Sequence, residues 1–280
     1  MSLVIRDGNP YWYLSPDIWV VPGNDPTGSP GSPIAGQPAY LWAHVANTGG
    51  SDANGVRIDF YWANPALQVT RGNATLVGSA FADVPSGGAQ DALCLVPWNP
   101  VVVNSGHECL VAVAVHPADP LPNPLPDAFD PPAYEQVAQK NLTVLVAKMH
   151  AATIALTISG LSRVDKAITV AAELGGELDQ ATLVSLGLRK LRLARDPKVE
   201  VGLGREARCV GDNEPIGDHK IELSVPRGTS AAIYAAVRAT ALSKDEYALV
   251  RIVERSHDRV IGGLGLVIVA GQSDEQEKQP

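Results

Sequence analysis

Apolar and polar positions alternate with period two along most of this chain, and Tyr40 to Pro65 sets the pattern. Tyr40, Trp42, His44 and Ala46 fall on one face of a first run, with Leu41, Ala43 and Val45 on the other. After a polar turn over 47–55, Val56, Ile58, Phe60 and Trp62 oppose Arg57, Asp59, Tyr61 and Ala63. Such alternation around Asn-Gly punctuation predicts a half-buried antiparallel pair. Its aromatic side chains are expected in a core, and its turn is expected at the surface.

The same pattern recurs on both sides of this pair. Residues 10–22 read as a short aromatic strand, and the Pro/Gly/Ser stretch 22–38 as a surface loop. Strands are predicted over 74–82, 90–98, 108–116 and 137–146, with a long proline-rich connector after His116. Short strands with turn signals about every ten residues predict a β-sandwich. From Lys148 the pattern starts again: strands over 152–158, 167–172, 198–202, 220–225 and 231–238, then a closing hairpin of 247–254 and 260–269. Leu183, Leu186 and Leu193 share helical spacing, so part of 178–193 is expected to be helical. Gly262-Gly263 inside the last hairpin signals a bulge or a close backbone approach.

Charge divides the chain in the same way. Residues 1–147 carry four basic side chains (Arg6, Arg57, Arg71, Lys140) against twelve acidic ones, a balance of −8, while the remainder is neutral. All five Trp lie in the first part. Two compositions argue for two domains, 1–147 and 148–271, followed by a polar tail, 272–280. An acidic first half argues against nucleic-acid binding, because phosphate contacts need Lys and Arg. No apolar run is long enough to span a membrane, and the start lacks the basic and apolar regions of a secretory signal. The expected location is the cytoplasm, or outside the cell as part of an exported assembly. Cys94, Cys109 and Cys209 are an odd count without CxxC spacing, which argues against zinc and a disulfide framework and for buried thiols.

Several of these residues together resemble a known family. The strand opening Ser15-Pro16-Asp17-Ile18, the run Trp42-Ala43-His44-Val45-Ala46-Asn47-Thr48-Gly49-Gly50, Gly55-Val56 leading to Phe60-Tyr61, and Glu135–Val144 resemble the CARDB family of immunoglobulin-like domains. The resemblance spans roughly residues 14–147, with a proline-rich insertion where the family has an acidic motif before its last strand. It implies a non-catalytic adhesion or interaction module. The expected fold class is all-β, two immunoglobulin-like antiparallel β-sandwich domains in tandem.

Candidate chemistry is sparse. Asp119, Asp127 and Asp130, with Asn123, supply oxygen atoms of the kind calcium takes, although their spacing is not that of an EF-hand. His107 and Cys109 would share a strand face without a third partner, and His44 sits among aromatics. No nucleophile elbow, P-loop or zinc-protease motif occurs in a suitable setting, so the chain is expected to be no enzyme and to need no cofactor. Interaction residues are expected at Tyr11, Trp12 and Tyr13, at Asn47, Asp52 and Asn54 of the turn, and at Arg189 and Arg192 of the basic run 189–195. Protein partners or self-association follow as the expectation, with carbohydrate bound by exposed Trp and Tyr as the alternative, and an accessory domain of a hydrolase as another.

Overall fold

The computed structural model describes residues 1–101, 109–147, 152–207, 210 and 214–270. In chain order the strands are β1 (Leu3–Val4), β2 (Ile18–Pro22), β3 (Ala39–Asn47), β4 (Ala53–Ala63), β5 (Ala74–Val84), β6 (Ala89–Trp98), β7 (Cys109–Val115), β8 (Val137–Lys140) and β9 (Leu142–Ala147). They continue with β10 (Ala152–Ser159), β11 (Lys166–Leu174), a helix α1 (Gln180–Ser185), β12 (Arg192–Leu193), β13 (Lys198–Gly204), β14 (Lys220–Val225), β15 (Ser230–Ala241), β16 (Glu246–Ser256) and β17 (Arg259–Ala270).

The fold is all-β, with two immunoglobulin-like sandwiches in tandem. In the first, β3 is flanked by β1 and β2 along one side and by β6 along the other. The facing sheet runs β5-β4-β7-β8, antiparallel throughout. In the second, a sheet β10-β15-β13 packs on a sheet β14-β11-β16-β17-β9, with β12 added in parallel to β16.

The Tyr40–Pro65 pair forms as two strands, but they lie in opposite sheets: β3 pairs with β6, whereas β4 pairs with β5 and β7. Its faces also fall otherwise than expected. Ala39, Leu41, Ala43 and Val45 point inward, each at most 1% exposed, while Tyr40, Trp42 and His44 stand half-buried on the outside. Ile58 and Phe60 of β4 fill the space between the sheets, so small residues suffice opposite them. Outside, Trp42 stacks on Trp19 with centroids 5.7 Å apart and its indole N–H donates to the Pro26 carbonyl at 2.9 Å. His44 meets Asp91 at 2.6 Å on the same outer surface.

The run 137–146, expected as one strand, is two. Up to Lys140 it pairs with β7 of the first sandwich; from Leu142 it runs parallel to β17 of the second. Asn141 is the residue between them. The helix is shorter than its leucine spacing suggests. Asp179 caps it by accepting from the Thr182 N–H at 2.6 Å, and it ends before Gly187, whose φ of +74° suits glycine. Leu188, Leu191 and Leu193 then continue outside the helix onto the same apolar cluster.

Candidate functional site

Two regions stand out: a sealed seam between the sandwiches and an open edge on the first. The seam begins with apolar packing. Tyr13 and Leu14 form one cluster with Leu178, Leu183, Leu186 and Tyr247 of the second sandwich. Trp12 packs edge-on to Tyr13 at 5.6 Å, and the Arg251 guanidinium lies 4.1 Å over the Tyr11 ring. Leu67, from the segment after β4, sits in the core of the second sandwich. Gly262 and Gly263 make this approach possible, since a Cβ on Gly262 would lie 2.5 Å from the Leu67 backbone and one on Gly263 would lie 2.4 Å from the Tyr13 ring. The glycine pair is both predicted features at once, because the β16–β17 ladder also shifts register beside it, between Glu254 and Arg255.

Polar groups lock the same seam. The Asn141 amide donates to Ala66 O at 2.8 Å and to Gly263 O at 2.6 Å, while its Oδ1 accepts from the Cys109 thiol at 3.1 Å. Lys166 reaches Glu254 at 2.6 Å, the Gln68 amide oxygen at 2.7 Å and Ser159 O at 2.9 Å. Burial pushes the Glu254 carboxyl up, and the Lys166 charge opposes that shift. Lys140 donates to Ile18 O and to Ser185 Oγ, both at 2.8 Å, and burial lowers its amine to about 8. An amine beside a serine hydroxyl is a nucleophile arrangement in form. Here Lys140 is 6% and Ser185 7% exposed, so a substrate has no way in. The seam holds the two sandwiches in register, and sequence gave little sign of it: Lys140, Asn141 and Lys166 look like ordinary strand-edge polar residues.

The residues singled out from sequence divide between buried positions and exposed ones. Tyr11, Trp12 and Tyr13 face the second sandwich rather than an outside partner. Tyr13 is 2% exposed, and burial pushes its phenol up to about 12. Asn47 is also buried. Its amide donates to Ser51 O at 2.8 Å and Val84 O at 3.2 Å, and its Oδ1 accepts from the Gly49 N–H at 3.1 Å, so it builds the turn instead of presenting it. Asp52 and Asn54 are exposed, with Asp52 accepting from the Ser86 N–H at 2.8 Å. The three acids of the connector do not converge. Asp119 accepts from the Leu3 N–H at 2.8 Å, Asp127 is turned to Ser162, and Asp130 takes Arg259 at 2.7 Å. The Ser162 hydrogen bonds lower the Asp127 carboxyl. No metal-binding group of three His, Cys, Asp or Glu occurs among the described residues. Arg192 pairs with Asp245 at 2.9 Å within the chain, and Arg189 is exposed above the leucines. Cys94 and Cys109 are buried thiols, not bridged to each other. His107, Glu108 and Cys209 lie outside the described residues.

The open region is the margin formed by β5 and β6. Among the described residues β5 is hydrogen-bonded only to β4, and β6 only to β3, so each is the outermost strand of its sheet. Phe81 and Leu95 are each 71% exposed there, with Leu76 at 51% and Val96 at 47%. Neither strand contains Lys or Arg, and their edge-guarding residues are confined to Asp83, Asp91 and Pro97. Period-two alternation predicts the inward face of such strands and does not reveal that the outward face stays apolar and uncovered.

No protein-family model matches the chain, and no curated protein matches it. Among solved structures, it is similar to red sea bream transglutaminase at 11% identity and a TM-score of 0.25, over 92% of this chain and 32% of that one. The chain therefore spans about a third of that enzyme. It is similar also to the CupB6 tip adhesin from Pseudomonas aeruginosa at 10% identity and a TM-score of 0.22, over 96% and 98%. The CFA/I enterotoxigenic E. coli adhesin CfaE gives 8% and 0.24, over 97% and 91%. At these scores the likenesses carry no argument, and the fold rests on the strand pairing itself. No helix among the described residues is long and apolar enough to cross a membrane.

Proposed function

We propose that this chain is a CARDB-like, non-catalytic interaction protein of the adhesion type, a component of a multi-subunit assembly that acts by protein–protein contact. The observation that carries the reading is the β5–β6 margin, where Phe81 and Leu95 are each 71% exposed on edge strands without a basic guard. A free edge offers backbone N–H and C=O groups to an added strand, and outward apolar side chains give that strand pockets to fill. The locked seam supports the same reading, since a rigid tandem presents one margin in a fixed direction to its partner.

Light scattering on the purified native protein, with capture of what travels with it, tests the proposal. The expected result is a mass above that of one chain, or a stoichiometric partner, lost when Leu95→Lys is introduced. A monomer without any protein partner that instead binds on a glycan array overturns it.

A further inference from the structure

A groove of about 580 Å³ lies on the outer face of the first sandwich, between β4, β7 and the proline-rich connector. It is within the size range of ligand sites. Val113, Val115, Leu121 and Leu125 supply apolar walls, and Arg57, Asp59, Tyr61, Arg71 and His116 the polar groups.

The charges in it do not cancel. Arg57 and Asp59 form a pair at 3.0 Å, and Asp59 also accepts from Ser79 Oγ at 2.6 Å. The Ala118 N–H donates to His116 Nδ1 at 3.1 Å, and Nε2 faces Asn54 O at 3.1 Å. Both ring nitrogens are thus engaged within the chain. Arg71 remains. Its guanidinium lies 4.3 Å over the Phe129 ring and donates to Pro126 O at 3.2 Å, contacts that hold it in place without neutralising it. Of the acids of the connector, Asp127 is turned to Ser162 and Asp130 to Arg259. Burial lowers the Arg71 guanidinium, and only the Tyr61 phenol offsets that influence. Among the described residues no acid pairs with this half-buried cation at an apolar groove, in a half-chain where acidic side chains outnumber basic ones threefold.

We infer that this groove binds a carboxylate carried on an apolar body, such as the C-terminus of a partner polypeptide, with Arg71 as the anion contact. A planar guanidinium suits a carboxylate, and the branched aliphatic walls suit Leu- or Phe-like side chains better than the hydroxyls of a sugar. This goes beyond the edge-strand reading: Phe81 borders both the groove and the edge, whereas Leu95 lies outside the groove, so Leu95→Lys tests the edge alone.

The probe is N-acetyl-Leu-Leu-Phe with a free carboxylate, compared with its C-terminal amide and with digalacturonate, titrated calorimetrically into the full chain. Saturable binding of the free acid is expected, about tenfold weaker or worse for the amide and for Arg71→Gln. Because Arg71→Gln also removes packing on Phe129, Leu125→Asp serves as a second variant. It places a negative charge on an exposed rim position and is expected to weaken the acid while sparing the fold. Equal affinity for acid and amide, indifference to both variants, no saturation by about 10 mM, or binding of digalacturonate alone each overturns the inference.

Discussion

The Asn141 side-chain amide donates to the Gly263 carbonyl at 2.6 Å, joining the residue where the first sandwich ends to the last hairpin of the second. Asn141 is fully buried and its amide also serves Ala66 O. Asn141→Ala removes the amide donor from Gly263 O and leaves Ala66 O to the Cys109 thiol at 3.2 Å, and is expected to cost about 1–3 kcal/mol. Asn141→Asp is expected to cost more at pH 8, because a carboxylate cannot donate to either carbonyl and its charge is buried. Urea midpoints of the three proteins check this order.

The Lys166–Glu254 pair makes a second test. Both side chains are almost wholly buried, at 3% and 0% exposure. Lys166→Met alone strands a carboxyl in the core and is expected to destabilise by about 3–5 kcal/mol. Combining it with Glu254→Leu is expected to restore most of the loss, since the desolvation cost of both groups then disappears. A single-variant loss as small as that of an exposed ion pair would refute the assignment.

Asp7 gives the protein a specific pH dependence. Burial, with the Asp130 charge behind it, raises its carboxyl from 3.8 to about 7, and Oδ1 has no hydrogen-bond partner. A raised acid favours the folded state while protonated. Its contribution is full below pH 3.8 and is lost as pH rises through 7. Asp7→Asn is therefore expected to stabilise at pH 8 by about 1 kcal/mol or more, after screening by solvent, and to change little at pH 3.5. Thermal melts at both pH values read the difference.

Gly263→Ala places a methyl 2.4 Å from the Tyr13 ring. Overpacking of this kind costs about 1–3 kcal/mol. Tyr13→Leu in the same chain is expected to recover part of that cost, which identifies the seam, not the β17 backbone, as the source. Non-additivity in a double-mutant cycle is the measurement.

Leu95→Lys tests the open edge. Leu95 is 71% exposed, so the change is expected to leave the unfolding midpoint within about 0.5 kcal/mol of the parent. The added charge is expected to abolish strand addition at that margin. A variant that melts early would show that Leu95 is structural.

How legible was all this in sequence? The strands were, because inward positions repeat every second residue: Ile58 and Phe60 of β4, and Ile154, Leu156 and Ile158 of β10, are buried where the alternation puts them. The charge asymmetry was legible too, and so was the special nature of Gly262-Gly263. Alternation, however, cannot say which face of β3 is inside. Its aromatic face lost to its small-residue face because the volume between the sheets was taken from the other side. The candidate site was less visible. The acids of the connector offer oxygen atoms without a ligand spacing in sequence, and each finds a different partner once the loop is folded.

Period and composition by themselves determined an all-β chain of two unlike halves, since those properties depend only on neighbours along the chain. Only the tertiary structure decided the rest. Among the described residues it turned Tyr11–Tyr13 inward to the seam, split one strand between two sandwiches at Asn141, left Arg71 without an acid partner, and exposed Phe81 and Leu95 on edge strands. Each of these depends on residues far apart in sequence that meet only when the sheets pack, and pairwise geometry at that range leaves no periodic trace.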